Sequence, residues 1–255
     1  MKTFISDYLL YPPILTDEQI RALTGALKNG LFLDQPVPYD KFADITYESE
    51  FNGLQLPKNK LIKMSKKKHV DAFFKNGTLQ LGTFEYYRNH ENEEVKDVEE
   101  GSTILVGSNS KNTAVITITG GFDHYVFCCF DGEADQEIIK KFEYDTYFEI
   151  IDPEGFQRAI SQKLNAELSK QSRCLYRDDK VLVSQVSEEF NFDVLSSHME
   201  NLGDVSKFFI KHKRFQHQNE FRFIWKLPND IEKPIIMDFP EAIKFCQRQK
   251  NPSPT

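Results

Sequence analysis

The stretch Lys207-Phe-Phe-Ile-Lys-His-Lys-Arg-Phe-Gln-His-Gln-Asn-Glu-Phe-Arg-Phe-Ile-Trp-Lys226 decides how this chain of 255 residues is read. Its second half alternates, with Phe221, Phe223 and Trp225 on odd positions and Gln218, Glu220 and Arg222 on even ones. In a β-strand, side chains two apart share a face and stand about 6.5 Å apart along the chain. The spacing therefore predicts a strand over 219–226 with an aromatic core face and an opposite polar face. Burying the three aromatics stabilises such a strand by about 1.5–3 kcal/mol each. That accounts for the strand, but not for a polar face that begins Gln-x-Glu. Gln218 and Glu220 read either as a functional pair at the strand mouth or as solvent-facing residues, with Arg222 pairing to a neighbouring acid.

Working outward, the same strand-rich signature recurs upstream. Ser102–Val106, Ala114–Thr119, Tyr125–Phe130, Tyr147–Ile151 and Lys180–Val186 are dense in β-branched or aromatic residues and read as strands, and Ile235–Phe239 reads as a late one. Leu61–Ser65 and Thr78–Leu81 are short strands flanking a helix over His69–Lys75, closed by Asn76-Gly77. Thr83–Arg88 reads as a helical turn. Pro153–Lys170 reads as an amphipathic helix, with Phe156, Ile160, Leu164 and Leu168 at the apolar spacing. A short helix over 240–250 and a tail at 251–255 end the chain. Near the start, Thr16 three residues before Gln19 forms a capping box, followed by Ile20, Leu23 and Leu27 at helical spacing. Pro36, Pro38, Asn52-Gly53 and Pro57 punctuate the turn-rich segment after this helix. The division expected is an N-terminal helical and irregular extension over 1–58 and a domain over 59–255. Strands outnumber helices without regular βαβ alternation, so the fold class expected is α+β.

Composition bounds the function. Hydrophobic residues at 40%, with 22 Phe and 10 Tyr, suffice for a real core. A formal charge of −7 argues against a general nucleic-acid coat, which rests on many phosphate contacts. Lys66-Lys67-Lys68 and the cluster Lys207, Lys211, Lys213, Arg214 read first as solvated surface, or else as local basic patches. The four cysteines show no CxxC spacing, and adjacent Cys128 and Cys129 would face opposite sides of a strand. That pattern suits neither zinc nor a disulfide framework, and it fits a reducing cytoplasm. No apolar run approaches a membrane span, so no membrane partner is expected. P-loop, Gly-x-Gly-x-x-Gly, His-Glu-x-x-His and Gly-x-Ser-x-Gly patterns are all missing from the sequence.

Residues 61–226 carry an ordered set of signals. A strand containing Lys63 leads to Asn76-Gly77, then Tyr86-Tyr87-Arg88, then Asp97 to Glu100-Gly101. The cysteine-bearing strand 125–130 follows, and the set closes on Gln218-Asn219-Glu220-Phe221-Arg222. This order resembles a bacterial family of domains of unknown function found among toxin and phage-defence genes, itself similar to divergent ADP-ribosyltransferases. The resemblance implies split mixed or antiparallel β-sheets with flanking helices and NAD as a substrate without a metal. It implies transfer of ADP-ribose to a macromolecule, with RNA or DNA slightly favoured over protein, and an antitoxin or inhibitor as a further partner. Glu220 would steady the ribosyl cation and Gln218 would orient the acceptor. Lys63, Thr83, Tyr86, Tyr87, Arg88 and Tyr125 would contact the nucleotide. The chain departs from the pattern in offering Lys63 where Arg or His usually grips the nucleotide, because a lysine cannot form a bidentate fork. It also lacks a serine on strand 125–130. A binding module on the same scaffold and an NAD glycohydrolase are the alternatives. For Tyr86, Tyr87 and Arg88 the plainer reading is core capping with an ion pair. For the acidic segment it is a solvated loop, and for His124 a structural histidine.

Overall fold

The computed structural model describes residues 4–11, 15–31, 45–47, 55–133, 136–185, 188–189 and 205–249. In chain order the elements are β1 (Phe4–Tyr11), α1 (Asp17–Leu31), β2 (Ile45–Tyr47), β3 (Leu61–Ser65), α2 (Lys67–Asn76), β4 (Thr78–Thr83) and α3 (Phe84–Arg88). There follow β5 (Ser102–Ser108), β6 (Thr113–Thr119), β7 (His124–Asp131), α4 (Gln136–Lys141), β8 (Thr146–Ile150) and α5 (Pro153–Leu164). The chain continues with β9 (Leu168–Arg173), β10 (Leu175–Arg177), β11 (Val181–Gln185) and β12 (Ile210–His212). Last come β13 (Glu220–Lys226), β14 (Ile235–Asp238) and β15 (Cys246–Arg248). The fold is α+β, and no described helix is long and apolar enough to cross a membrane.

Two compact units emerge, each assembled from three separate stretches: Met1–Leu54 with Val98–Phe122 and Leu175–Gln216, and Gln55–Asp97 with Asp123–Cys174 and His217–Thr255. The boundary expected near Pro57 falls close to the first crossing, but residues 59–255 do not form one unit. The turn-rich segment holding Pro36, Pro38 and Asn52-Gly53, and the tail 251–255, lie outside the described residues.

In the first unit a five-stranded sheet runs β1-β6-β5-β11-β2, with β11 parallel to both β5 and β2. The capping box at the start of α1 forms as expected: the Thr16 amide donates to Gln19 Oε1 (2.7 Å) and the Gln19 amide to Thr16 Oγ1 (3.2 Å). Ile20 and Leu27 of that helix pack on Ile104, Val106, Val115 and Val181. Lys28 joins Asp179 Oδ1 at 2.5 Å and Glu99 Oε1 at 3.6 Å. Burial pushes the Asp179 carboxyl above its ordinary value, although Lys28 pulls the other way. The expected basic surface at 207–214 is only half there. Lys207 and Lys211 are buried, with the Lys211 ammonium 4.7 Å from the Phe215 ring centre, whereas Lys213 and Arg214 are exposed.

The second unit holds an eight-stranded antiparallel sheet around β7. Along one edge of β7, β13 pairs continuously from Glu220↔Phe130 to Lys226↔His124. The other edge is shared. Gly82 and Thr83 of β4 pair with Val126 and Tyr125, and Leu61 and Ile62 of β3 pair with Asp131 and Phe130. Residues 127–129 lie between those two pairings, so the sheet forks there. One prong continues from β3 to β8 and β15, the other from β4 to β14. Phe221, Phe223 and Trp225 are fully buried, and they pack with Phe127, Phe156 and Ile160.

Two expectations need correction. The helix beginning at Pro153 stops at Leu164, because Asn165 takes a left-handed conformation (φ 50°) and closes it. Leu168 then opens strand β9 against β13 instead of extending the apolar helix face. Residues 240–250 form a 3-10 turn over Pro240–Phe245 followed by β15.

Candidate functional site

The fork in the second unit opens a cavity of about 240 Å³. Lys63, Lys66 and His69 line it from β3 and the start of α2, Tyr86, Tyr87 and His90 from α3 and the turn after it, and Phe127, Tyr144 and Phe148 complete the aromatic wall. Two lysines and two histidines thus meet five aromatic rings, and among the described residues no carboxylate lines the space. Lys63 reaches across the fork: its Nζ donates to the Cys128 carbonyl oxygen (2.8 Å) and lies 4.3 Å from the Phe127 ring centre. A backbone carbonyl on the stretch that β3 and β4 leave unpaired is thereby satisfied by an ammonium.

The α3 wall is positioned by local chemistry. Thr83 caps the helix, its Oγ1 accepting from the Tyr86 amide at 3.0 Å. The Tyr86 and Tyr87 rings meet edge to face with centres 5.4 Å apart. Tyr87 lies against Gly82, where a Cβ would sit 2.9 Å from its ring carbons and hydroxyl. Burial pushes the Tyr87 phenol well above its ordinary value, reinforced by the Cys128 thiol to which it is hydrogen-bonded and by the charge of Glu220. The Cys129 thiol, on the core face, is likewise pushed up by burial.

Glu220 opens β13 and is only 6% exposed. Its Oε1 is held by the Arg222 Nε, and Arg222 itself is 1% exposed. Cys174 Sγ lies 3.9 Å from the same oxygen. The polar face of β13 is therefore an internal ion pair, and the acid that Arg222 meets is Glu220 itself. Glu220 does not line the cavity, although Tyr87, which does, feels its charge.

Gln218 departs from the expectation of a shared strand face. It ends a 3-10 turn over Lys213–Gln218, and Asn219 then adopts φ 38° before the strand starts. The left-handed residue breaks the two-residue alternation, so Gln218 and Glu220 are not neighbours on one pleat. Gln218 Nε2 donates to the Glu94 carbonyl (2.5 Å), and His217 Nε2 lies 2.8 Å from Glu94 Oε2. The acidic segment thus provides an anchor for the turn before β13. Asn219 is tied to Asp131: the Asp131 amide donates to the Asn219 carbonyl (2.8 Å), and the Asn219 side-chain amide donates to the Asp131 carbonyl. The Asp131 carboxylate holds Arg173 Nε (2.7 Å) and the amides of Lys58 (3.0 Å) and Asn59 (2.8 Å).

Of the residues singled out from sequence, the cavity brings together Lys63, Tyr86 and Tyr87, with Thr83 supporting them. Arg88 does not line it. Tyr125 lines a separate, open hollow with Leu164 and residues 227–233. His124 is a buried structural histidine, its Nδ1 2.6 Å from Asp123 Oδ1. Lys66 stands in the Lys66-Lys67-Lys68 run read as solvated surface or a basic patch, whereas His69, His90 and Tyr144 were not anticipated. His90 had one legible sign, standing four residues after Tyr86 at the spacing that stacks side chains along a helix. No group of three or more His, Cys, Asp or Glu side chains that could hold a metal ion occurs among the described residues. All four cysteines are free thiols. Comparison with protein-family models, with curated proteins and with solved structures gives no match.

Proposed function

We propose that this protein holds a nucleotide in the fork between β3 and β4. One observation carries the reading: a cavity walled by aromatic rings and lined by Lys63, Lys66, His69 and His90, with no carboxylate among its described lining residues. Aromatic faces suit a planar base, and ammonium and imidazole groups suit phosphate. At about 240 Å³ the space is below the usual range of roughly 300–1,000 Å³ for small-molecule pockets. It fits one nucleoside half of a dinucleotide, with the remainder crossing the mouth. Together with the resemblance of residues 61–226 to the ADP-ribosyltransferase-like family, this favours NAD as the nucleotide. Thermal unfolding with and without millimolar NAD tests it, since a ligand at 100 times its Kd stabilises by about 2.7 kcal/mol. Protection that disappears in Lys63→Met supports the site. A protein that NAD does not protect defeats the reading.

Transfer of ADP-ribose is the second reading, favoured by the buried carboxylate of Glu220, whose charge adds to the effect of burial and Cys128 on the Tyr87 phenol of the cavity wall. In that reaction the ribosyl C1′–N bond of NAD breaks and nicotinamide leaves with the electron pair. Glu220 steadies the oxocarbenium ion, and a nucleophile on RNA, DNA or protein forms the new bond and releases its proton to solvent. The Gln218 side chain donates to the Glu94 carbonyl, so in this reading it anchors the turn that leads into Glu220. Labelled NAD incubated with protein and cell extract distinguishes the outcomes. Nuclease- or protease-sensitive label marks transfer, free ADP-ribose marks a glycohydrolase, and no nicotinamide release leaves binding alone. The resemblance makes a toxin or anti-phage effector the setting for such an activity.

A further inference from the structure

We infer that Tyr86 is the hydrogen-bond donor with which the cavity takes a phosphate oxygen, and that His90 is the positioning residue that turns the Tyr86 hydroxyl proton to this task. The inference rests on the nucleotide reading and deepens it by assigning which part of the ligand this wall recognises.

The hydrogen bonds around His90 fix its proton. The Asn92 backbone amide donates to His90 Nδ1 at 3.0 Å, and a backbone N–H can only donate. Nδ1 must therefore carry a lone pair, so the ring proton sits on Nε2. Nε2 lies 3.0 Å from the Tyr86 hydroxyl oxygen. His90 is thus the donor in that contact and Tyr86 the acceptor. The Asn92 turn is itself held, because Asn92 Oδ1 accepts from the Glu94 amide (2.8 Å) and the Asn92 carbonyl accepts from Val95 (3.0 Å) and Lys96 (2.9 Å). The Tyr86 and His90 rings stand edge to face at 87°, with centres 5.0 Å apart.

A phenol that accepts through one lone pair still has its own proton to give. Among the described residues nothing accepts the proton of Tyr86, and both Tyr86 and His90 line the cavity. The hydroxyl is therefore a pre-set donor on the cavity wall, with little reorganisation left to pay on binding. Lys63 adds to it, because only one of its three ammonium protons is used on the Cys128 carbonyl. A wall offering a phenol proton and ammonium protons, in a cavity free of described carboxylates, selects an anionic acceptor over a neutral one. A phosphate oxygen is the acceptor that a nucleotide supplies.

Calorimetric binding of AMP, adenosine and inorganic phosphate to the full chain tests this. The wild-type protein binds AMP more tightly than adenosine. Tyr86→Phe weakens AMP by about 10- to 100-fold, the scale of one hydrogen bond to a charged acceptor, and leaves adenosine within about twofold. His90→Asn keeps an oxygen for the Asn92 amide but is too short to reach Tyr86, so it reproduces the AMP loss. His90→Gln, whose amide nitrogen extends to where Nε2 sits, restores binding. In the Tyr86→Phe background, His90→Asn adds nothing further. Equal weakening of AMP and adenosine in Tyr86→Phe, or wild-type AMP affinity in His90→Asn, overturns the inference. Inorganic phosphate binding as tightly as AMP assigns the wall to free phosphate and overturns the nucleotide assignment. A wild-type protein that binds neither AMP nor NAD removes the nucleotide reading, and this inference with it.

Discussion

Replacing Glu220 by glutamine perturbs the stability of the sheet as well as any chemistry, and the two effects separate. Glu220 and Arg222 are 6% and 1% exposed and joined through Oε1 and Nε. Removing one member of a buried ion pair withdraws a compensating charge from a desolvated partner, at a cost of about 3–5 kcal/mol. Glutamine keeps one acceptor oxygen for the guanidinium but no charge, so Glu220→Gln belongs at the lower end, about 3 kcal/mol. For a chain of this size that lowers Tm by about 6–12 °C. Urea melts and thermal scans measure it directly. The companion is Glu220→Leu with Arg222→Met, which removes both charges and fills similar volume. Such replacements of a whole buried pair are often close to neutral. The double variant is therefore expected to recover at least half of the stability lost in Glu220→Gln. A single variant that loses less than about 1 kcal/mol, or a double variant less stable than the single, refutes the view of this pair as desolvated and mutually dependent. The same measurements protect the interpretation of nicotinamide release. Activity lost in protein that is folded at the assay temperature belongs to chemistry, whereas activity lost in step with the folded fraction belongs to packing.

Three further outcomes are expected. Gly77→Ala costs at least about 2 kcal/mol in urea melts, because Gly77 sits at φ 82° and a Cβ there would lie 2.4 Å from the Phe239 carbonyl carbon. Gly82→Ala costs under about 1 kcal/mol in stability, yet it pushes the Tyr87 ring off β4 and reduces protection by NAD in thermal scans. The Asp123 carboxyl is pushed up by burial but held below its ordinary value on balance by the hydrogen bond and charge of His124. Its stabilisation is therefore fully present above about pH 4 and is lost as pH falls through the lower folded value. Asp123→Asn should flatten that acid limb in a series of urea midpoints at pH 2–6.

Much of the second unit was legible because its signals are local. The aromatic alternation of 221–225, the Asn76-Gly77 closure and the helical turn that starts at Thr83 each depend on a few neighbouring residues, and each appears where expected. The apolar spacing from Phe156 to Leu168 misled because helix and strand patterns overlap there, and the stop at Asn165 was not read as one. The fork around β7 is a register relation among three distant strands, and no local pattern encodes it. Gln218 failed for a related reason: the left-handed Asn219, tied to Asp131 far away in sequence, resets the pleat between two residues that look paired. Lys63 and the two tyrosines could be named in advance as chemical types. Their meeting in one cavity depends on long-range pairing.

Strand β13 is the continuous partner of β7, yet it comes long after β7 in chain order. A ribosome delivers residues in order, at about 5–20 per second. The growing polypeptide therefore carries one edge of β7 unpaired until the segment from Glu220 to Lys226 emerges. A nascent form that waits in this way is open to chaperones and proteases for several seconds. Without β13, β7 would keep a bare edge, a template for pairing with another chain.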